Sequence, residues 1–310
     1  MQTPVISYVV TVYNKEPYIG YTARSLMEQE GNIPSEYIFV DDVSTDRSVE
    51  VLEEIAKGRD DITIIRNTEN AGPSVRLNQG AQSAKGKYLQ FIDSDDILAA
   101  NASRIMMGLL EKHDADVIYG RWKKTGIKSA SLIGERIDEN APYISSNNPM
   151  DFIFEQRILR MTQMVARDTF MASGGCDEKV FIQDETIALR LARVAKKFIL
   201  LDAPVVLVPD VEGELSRNIS QLNHDRFFAI HNMITDFPDL METYRKRFYA
   251  RCISAVWKQV RHDRGMPGAL MSKAFMQYTF SKIFSPAVDF IRLQAMSDYF
   301  KNLKGVRRIG

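Results

Sequence analysis

Four short runs rich in β-branched and aromatic residues, at 5–10, 37–41, 62–66 and 88–92, alternate with segments of helical spacing at 17–30, 45–57 and 73–84. Few folds accommodate that order. It calls for parallel strands joined by right-handed crossovers, in a sheet with helices packed on its faces. The fourth run, Lys85-Gly86-Lys87-Tyr88-Leu89-Gln90-Phe91-Ile92, ends in Asp93-Ser94-Asp95-Asp96, three carboxylates within four residues. A strand of this kind belongs inside a covered parallel sheet, and ligands of open α/β sheets bind outside the carboxyl ends of the strands. Clustered carboxylates repel one another unless a cation sits among them, and hard divalent ions take one or two carboxylates plus a substrate's phosphates. The tip of this strand therefore reads as a metal–diphosphate site. The plainer alternative is a solvated loop with an Asp capping the next helix.

Other features narrow the field. Forty basic and forty acidic residues cancel, so no global field calls for nucleic acid. Cys176 and Cys252 fit neither a disulfide framework nor a zinc spacing, which suits a reducing compartment. The chain enters a strand almost at once, without a basic leader, and no stretch approaches the ~18 apolar residues of a spanning helix. A cytoplasmic protein is expected, with attachment to the inner face of the membrane left open.

After Asp96 a helix is expected near 101–112, then a strand at 117–120. Residues 122–147 read as a long, irregular excursion. A turn-rich loop, Gly174-Gly175-Cys176-Asp177-Glu178, precedes Phe181-Ile182-Gln183-Asp184-Glu185 and a helical run to Ala192. Asp184 lies at the start of that helix, where a cap is the plain reading. A strand at 204–208 and a polar linker at 209–222 lead into a helical, Met- and Phe-rich C-terminal region. One stripe there is Phe290, Leu293, Met296, Phe300 and Leu303, and between Gly265 and Gly310 seven basic residues face two acidic ones.

Taken in order, these pieces resemble the inverting family 2 glycosyltransferases, over roughly residues 4–208. The carriers are Ser7-Tyr8-Val9-Val10-Thr11-Val12-Tyr13-Asn14, similar to S-V-V-I-P-T-Y-N, and Phe39-Val40-Asp41-Asp42-Val43-Ser44-Thr45-Asp46, similar to V-D-D-G-S-T-D. They continue through Asn70-Ala71-Gly72-Pro73-Ser74, Asn78-Gln79-Gly80, Asp93-Ser94-Asp95-Asp96, the Gly174–Glu178 loop and Gln183-Asp184. The resemblance implies an α/β fold of the GT-A type: a Rossmann-like, mostly parallel sheet flanked by helices, with a C-terminal helical subregion. It implies a catalytic domain over 1–210, its nucleotide-sugar half at about 1–121 and its acceptor half at about 122–210, and a helical region over 211–310.

The implied activity is metal-dependent transfer, with inversion, of a hexosyl or N-acetylhexosaminyl group from a UDP-sugar to a hydroxyl. A saccharide or lipid-linked saccharide is the expected acceptor, in bacterial surface polysaccharide or lipopolysaccharide synthesis. Donor contacts are expected from Thr11, Tyr13, Asn14, Asp42, Asn70, Gly72, Asn78, Asp93, Ser94 and Asp95. Asp95 and Asp96 are expected to hold Mn²⁺ or Mg²⁺, and Asp184 to act as general base, because inversion needs a base opposite the leaving group. Asp46 or Ser44 is expected to cap the helix at 45–57. The chain departs from the pattern at Thr11 and Val12, which stand for Pro and Thr, and at Gln183, which stands for Glu. Arg76 is shifted by one position, about 100° on a helix, leaving a diphosphate contact or a structural salt bridge open. Arg217 is a weaker diphosphate candidate. The C-terminal helices are read as lying on lipid, pairing with a second subunit, or packing on the catalytic domain. A non-catalytic nucleotide-sugar-binding module is the rival function, and a pyrophosphorylase would need a basic Gly-rich loop after the first strand.

Overall fold

The computed structural model describes residues 3–156, 158, 161–209, 218–284 and 286–308. Two compact units are present, Met1–Cys176 with Ile187–Glu212, and Asp177–Thr186 with Gly213–Gly310.

The first unit is built on a nine-stranded sheet. Strands β1 (Ile6–Val12), β2 (Ser35–Asp41), β3 (Ile62–Arg66) and β4 (Tyr88–Asp93) alternate with helices α1 (Glu16–Met27), α2 (Ser48–Ala56) and α3 (Pro73–Ser83). They lie in the order β3-β2-β1-β4, all parallel. The helices begin where local chemistry allows: Pro17 and Pro73 occupy first-turn positions, where a missing N–H costs nothing. β1 and β4 are buried almost throughout, as a central parallel strand requires.

Beyond β4 the sheet becomes mixed. After β5 (Ile97–Leu98), α4 (Ala102–His113) and β6 (Val117–Lys124), the chain forms β7 (Tyr143–Ser146), α5 (Pro149–Gln156), β8 (Gln163–Ala166), α6 (Arg167–Ser173), α7 (Asp184–Val194) and β9 (Phe198–Val208). β8 runs antiparallel between β4 and β6, β6 is parallel to β9, and β5 and β7 pair antiparallel with β9. The excursion at 122–147 therefore contributes a sheet strand at its end rather than staying outside the core. Inside the unit, the Tyr8 hydroxyl donates to Ser103 Oγ (2.8 Å), which donates to Gln90 Oε1 (2.7 Å). Burial pushes the Tyr8 phenol well above its ordinary pKa, so the chain of donors stays neutral.

The second unit packs α8 (Ile219–Thr235), α9 (Glu242–Leu270), α10 (Lys273–Ile283) and α11 (Phe290–Lys301) with the 177–186 loop. Phe227 of α8 stacks on Phe300 of α11 at 4.5 Å between centroids. Of the expected α11 stripe, Leu293, Met296 and Phe300 are buried, whereas Phe290 at the start of the helix stays exposed, with the Arg245 guanidinium of α9 over its ring. Among the described residues, no helix is long and apolar enough to cross a membrane.

Candidate active site

The chain runs outward from β1 through β2 to β3 and then returns to place β4 on β1's other side. The strand order thus reverses between β1 and β4, and the crevice at their carboxyl ends is where such sheets bind ligands. The β1–α1 loop lines it and touches both neighbours. Asn14, at φ 52°, accepts from the Thr45 backbone N–H (2.8 Å) through Oδ1, and its own N–H donates to Ser44 Oγ (3.1 Å). Asn tolerates this left-handed conformation better than most residues. On the other side, the Lys15 ammonium pairs with the Asp95 carboxylate. Tyr13, next in the loop, is 40% exposed, and Thr11 stands in register between Val40 and Asp93.

Asp42, just past β2, is buried. Its Oδ1 accepts from Arg76 Nε (2.7 Å) and from the Ala71 N–H (2.9 Å), and its Oδ2 from the Gly72 N–H (2.9 Å). Asn70 donates its side-chain amide to the Asp42 carbonyl (2.9 Å). Gly72 has φ 84°, a conformation that lets its amide turn to the carboxylate and that side chains disfavour. Arg76 is thereby a buried ion-pair partner of Asp42. A carboxylate has about four acceptor sites; the contacts above use both on Oδ1 and one on Oδ2, which leaves Oδ2 able to take one further donor. Asp41 turns inward to accept from the amides of Val43 and Ser44. Val43 sits at φ 67° where the family pattern has Gly, and a β-branched residue is strained there.

Asp46 caps in an unexpected way. Its Oδ1 accepts from the Ser48 N–H (3.0 Å) at the start of α2, and its Oδ2 from the Glu16 N–H (2.9 Å) at the start of α1. One carboxylate ties two helix N-termini together, which moves the start of α2 to Ser48. Burial acts to raise the Asp46 pKa, but the donors from Ser48 and Glu16 outweigh it and hold the carboxyl below its ordinary range.

At the tip of β4, Ser94 and Asp96 are buried, while Asp93 and Asp95 are partly exposed. The Thr22 hydroxyl, from α1, lies 3.1 Å from the Ser94 carbonyl and 2.9 Å from that of Asp96, and so anchors this acidic turn. Neither Thr22 nor Lys15 was expected at the site. Lys15 is findable only once β1 and β4 are known to be adjacent. Among the described residues, no three His, Cys, Asp or Glu side chains are grouped to hold a metal ion. A divalent ion here would have the Asp95 and Asp96 carboxylates to draw on and would need phosphate and water oxygens besides, a donor set that suits Mg²⁺ or Mn²⁺. The Lys15 ammonium on Asp95 shows that this carboxylate does take a cation.

Asn78 is used differently from expectation. Its Nδ2 donates to the Cys176 carbonyl (3.0 Å) and its Oδ1 accepts from the Cys176 N–H (2.8 Å). The amide thus clips α3 to the 174–176 loop. Gly175, at φ 67°, must be Gly, because a Cβ would collide with Asn78 Oδ1. Arg190 Nε donates to the Gly175 carbonyl (2.7 Å) from the other side.

Asp184 opens α7 and belongs to the second unit. Its loop is pinned there from α8: the Ile182 N–H donates to Asp225 Oδ2 (2.9 Å), and Asn232 Nδ2 donates to Asp177 Oδ2 (2.7 Å). His224 Nδ1 lies 2.7 Å from Asp225 Oδ1, so this histidine is a buried member of the pinning network rather than a surface group. Arg217 lies outside the described residues.

Residues 7–173 match the model of glycosyl transferase family 2. Over 141 residues the chain is 34% identical to a poly(ribitol-phosphate) beta-glucosyltransferase of Bacillus spizizenii, covering 44% of this chain and 22% of that protein. It is 42% identical over 97 residues to the putative glycosyltransferase EpsH of Bacillus subtilis, covering 31% and 27%. The chain spans less than half the length of these curated relatives. Among solved structures, Staphylococcus aureus TarS 1-349 in complex with UDP-GlcNAc superposes with a TM-score of 0.66 at 19% identity, over 89% of this chain and 79% of that one. A Pyrobaculum calidifontis mannosyltransferase in complex with GDP-Man and Mn²⁺ gives 0.57 at 16% identity, over 97% and 86%. These two likenesses concern the fold.

Proposed function

The chain belongs to glycosyl transferase family 2, and from that premise we propose that it moves a hexosyl or N-acetylhexosaminyl group from a UDP-sugar to a hydroxyl, with inversion. The observation that carries this reading is the convergence at the carboxyl ends of β1, β2 and β4 of an exposed tyrosine, a buried carboxylate with one acceptor site left, and an acidic turn paired with a lysine. The Tyr13 ring supplies a face on which uracil can stack. Asp42 Oδ2 accepts the uracil N3–H. Because Arg76 and the Ala71 amide hold Oδ1 and the Gly72 amide holds Oδ2, the carboxylate is fixed as a whole, and recognition requires no reorganisation at the moment of binding. Thr11, Asn14, Asn70, Gly72, Asp93 and Ser94 complete the donor pocket, with Asn78 acting on it through the loop it clips.

Asp95 and Asp96 would hold the divalent ion. When bound, the ion supplies Lewis-acid neutralisation of the charge that builds on the departing diphosphate. Lys15, released from Asp95, adds a second positive charge for the phosphates. Asp184 takes the proton of the acceptor hydroxyl as that oxygen bonds to the anomeric carbon, and UDP leaves with the electron pair of the broken bond. The TarS complex with UDP-GlcNAc supports a uridine donor. Relatives named for poly(ribitol-phosphate) and, putatively, teichuronic acid support a bacterial surface polymer or its lipid-linked precursor as acceptor.

The test is a donor panel of UDP- and GDP-sugars with Mn²⁺, read as nucleotide release, run beside Asp184→Asn. Turnover of a UDP-sugar that falls roughly 10²–10⁴-fold in the variant, with UDP affinity unchanged, is expected. Equal turnover in both proteins would remove Asp184 from the mechanism.

A further inference from the structure

Helix α10 carries two apolar faces, and only one is used. The rings of Phe275 and Tyr278 lie 5.1 and 5.7 Å from Trp257 of α9 and pack the helix onto its unit. Met276, Phe280 and Ile283 recur at i, i+4 and i+7, an arc of about 60° on the far side of the helix, and Phe284 follows at its end. All four are exposed. Met271 just before the helix is 92% exposed, and Ile291 in the first turn of α11 is 87% exposed. Isolated apolar residues on a surface need no explanation, but a continuous stripe of large ones does.

The charge of the segment that carries the stripe indicates what covers it. Residues 264–288 contain no Asp or Glu, while Arg264, Lys273 and Lys282 are all basic; through Arg292 the one acidic residue is Asp289. The chain as a whole is neutral, so this is a local design. An interface of anionic headgroups over acyl chains answers both features, since aromatic and aliphatic side chains enter the acyl boundary and lysines meet the headgroups.

We propose that the exposed α10 face of Met276, Phe280 and Ile283, with Phe284 against Phe280, is a docking surface for an anionic lipid bilayer. The docking is peripheral, and it is independent of the donor-site reading, because it needs neither nucleotide nor metal.

Co-sedimentation of the full chain with phosphatidylcholine vesicles, and with vesicles also containing phosphatidylglycerol, tests this. Binding to the anionic vesicles, weakened by salt, is expected, with little binding to phosphatidylcholine alone. Replacing Phe280, Ile283 and Phe284 together by Ser should lower partitioning by about tenfold or more while leaving the thermal melt unchanged, since all three are exposed. Lys273→Glu with Lys282→Glu should remove the preference for the anionic lipid. The proposal is overturned by equal or absent binding to both vesicle types. It is also overturned by a dimer in light scattering that the Ser variant dissolves, which would make a second copy the occupant.

Discussion

At the tip of β2, Asp42 is buried and accepts from Arg76 and two backbone amides, whereas at the tip of β4 Asp95 is partly exposed and holds one ammonium on a flexible stem. Both carboxylates flank β1, and both meet a cation, yet the two pairs are built for opposite ends. A buried pair is costly to break, because removing one partner strands a desolvated charge. A partly exposed Lys–Asp pair is worth little net energy, so a competing cation can displace it. In the proposed function the first arrangement would keep one acceptor oxygen at a fixed place for a base edge. The second would keep a charge available for exchange with a metal diphosphate.

Asp95→Ala should separate the two corners most sharply. Turnover should fall by roughly 10³-fold or more as charge stabilisation at the leaving group is lost, while urea unfolding stays close to wild type. Arg76→Ala should do the reverse, destabilising the fold by about 3–5 kcal/mol because Asp42 is left buried and unpaired; an unfolding curve superimposed on wild type would show that the pair is not what fixes this corner.

Smaller effects sharpen the picture of the framework between the corners. Asp46 has a depressed pKa in the fold, so its stabilisation is complete above the unfolded value near pH 4 and is lost as pH falls through the folded value. Asp46→Asn should therefore lower stability at pH 7 by about 0.5–1 kcal/mol, a cap-sized effect trimmed by partial exposure. The gap to wild type should narrow as pH falls below the unfolded value of about 4, and thermal melts across that range would check it. Val43→Gly should raise stability by about 0.5–1 kcal/mol through relief of the positive-φ strain, and a lower melting temperature would contradict that strain.

The same contrast explains what could be read before the fold was known. β1 to β4 and α1 to α4 stand within a few residues of expectation, because periods of two and 3.6 alternate there and Pro17, Gly72 and Pro73 punctuate them. β7 and β8 were not legible: four residues carry no period, and their pairing is set by β9, β4 and β6, distant in sequence. At the site, residue types pointed to nucleotide and metal chemistry but not to which groups the protein uses on itself. Asn78 shows this, since its amide meets the backbone of Cys176, a partner 98 positions away. Lys15 shows the converse: nothing local marks it, and only the adjacency of β1 and β4 sets it on Asp95.

The exchangeable corner is tested most directly by calorimetric titration of UDP into the wild-type chain and Asp95→Ala, each with and without Mn²⁺. Manganese should tighten UDP binding at least about tenfold in the wild type, a gain of roughly 1.4 kcal/mol, and leave the variant's affinity unchanged. Equal UDP affinity with and without the ion in the wild type, or the same gain in both proteins, would contradict a metal diphosphate held at the tip of β4.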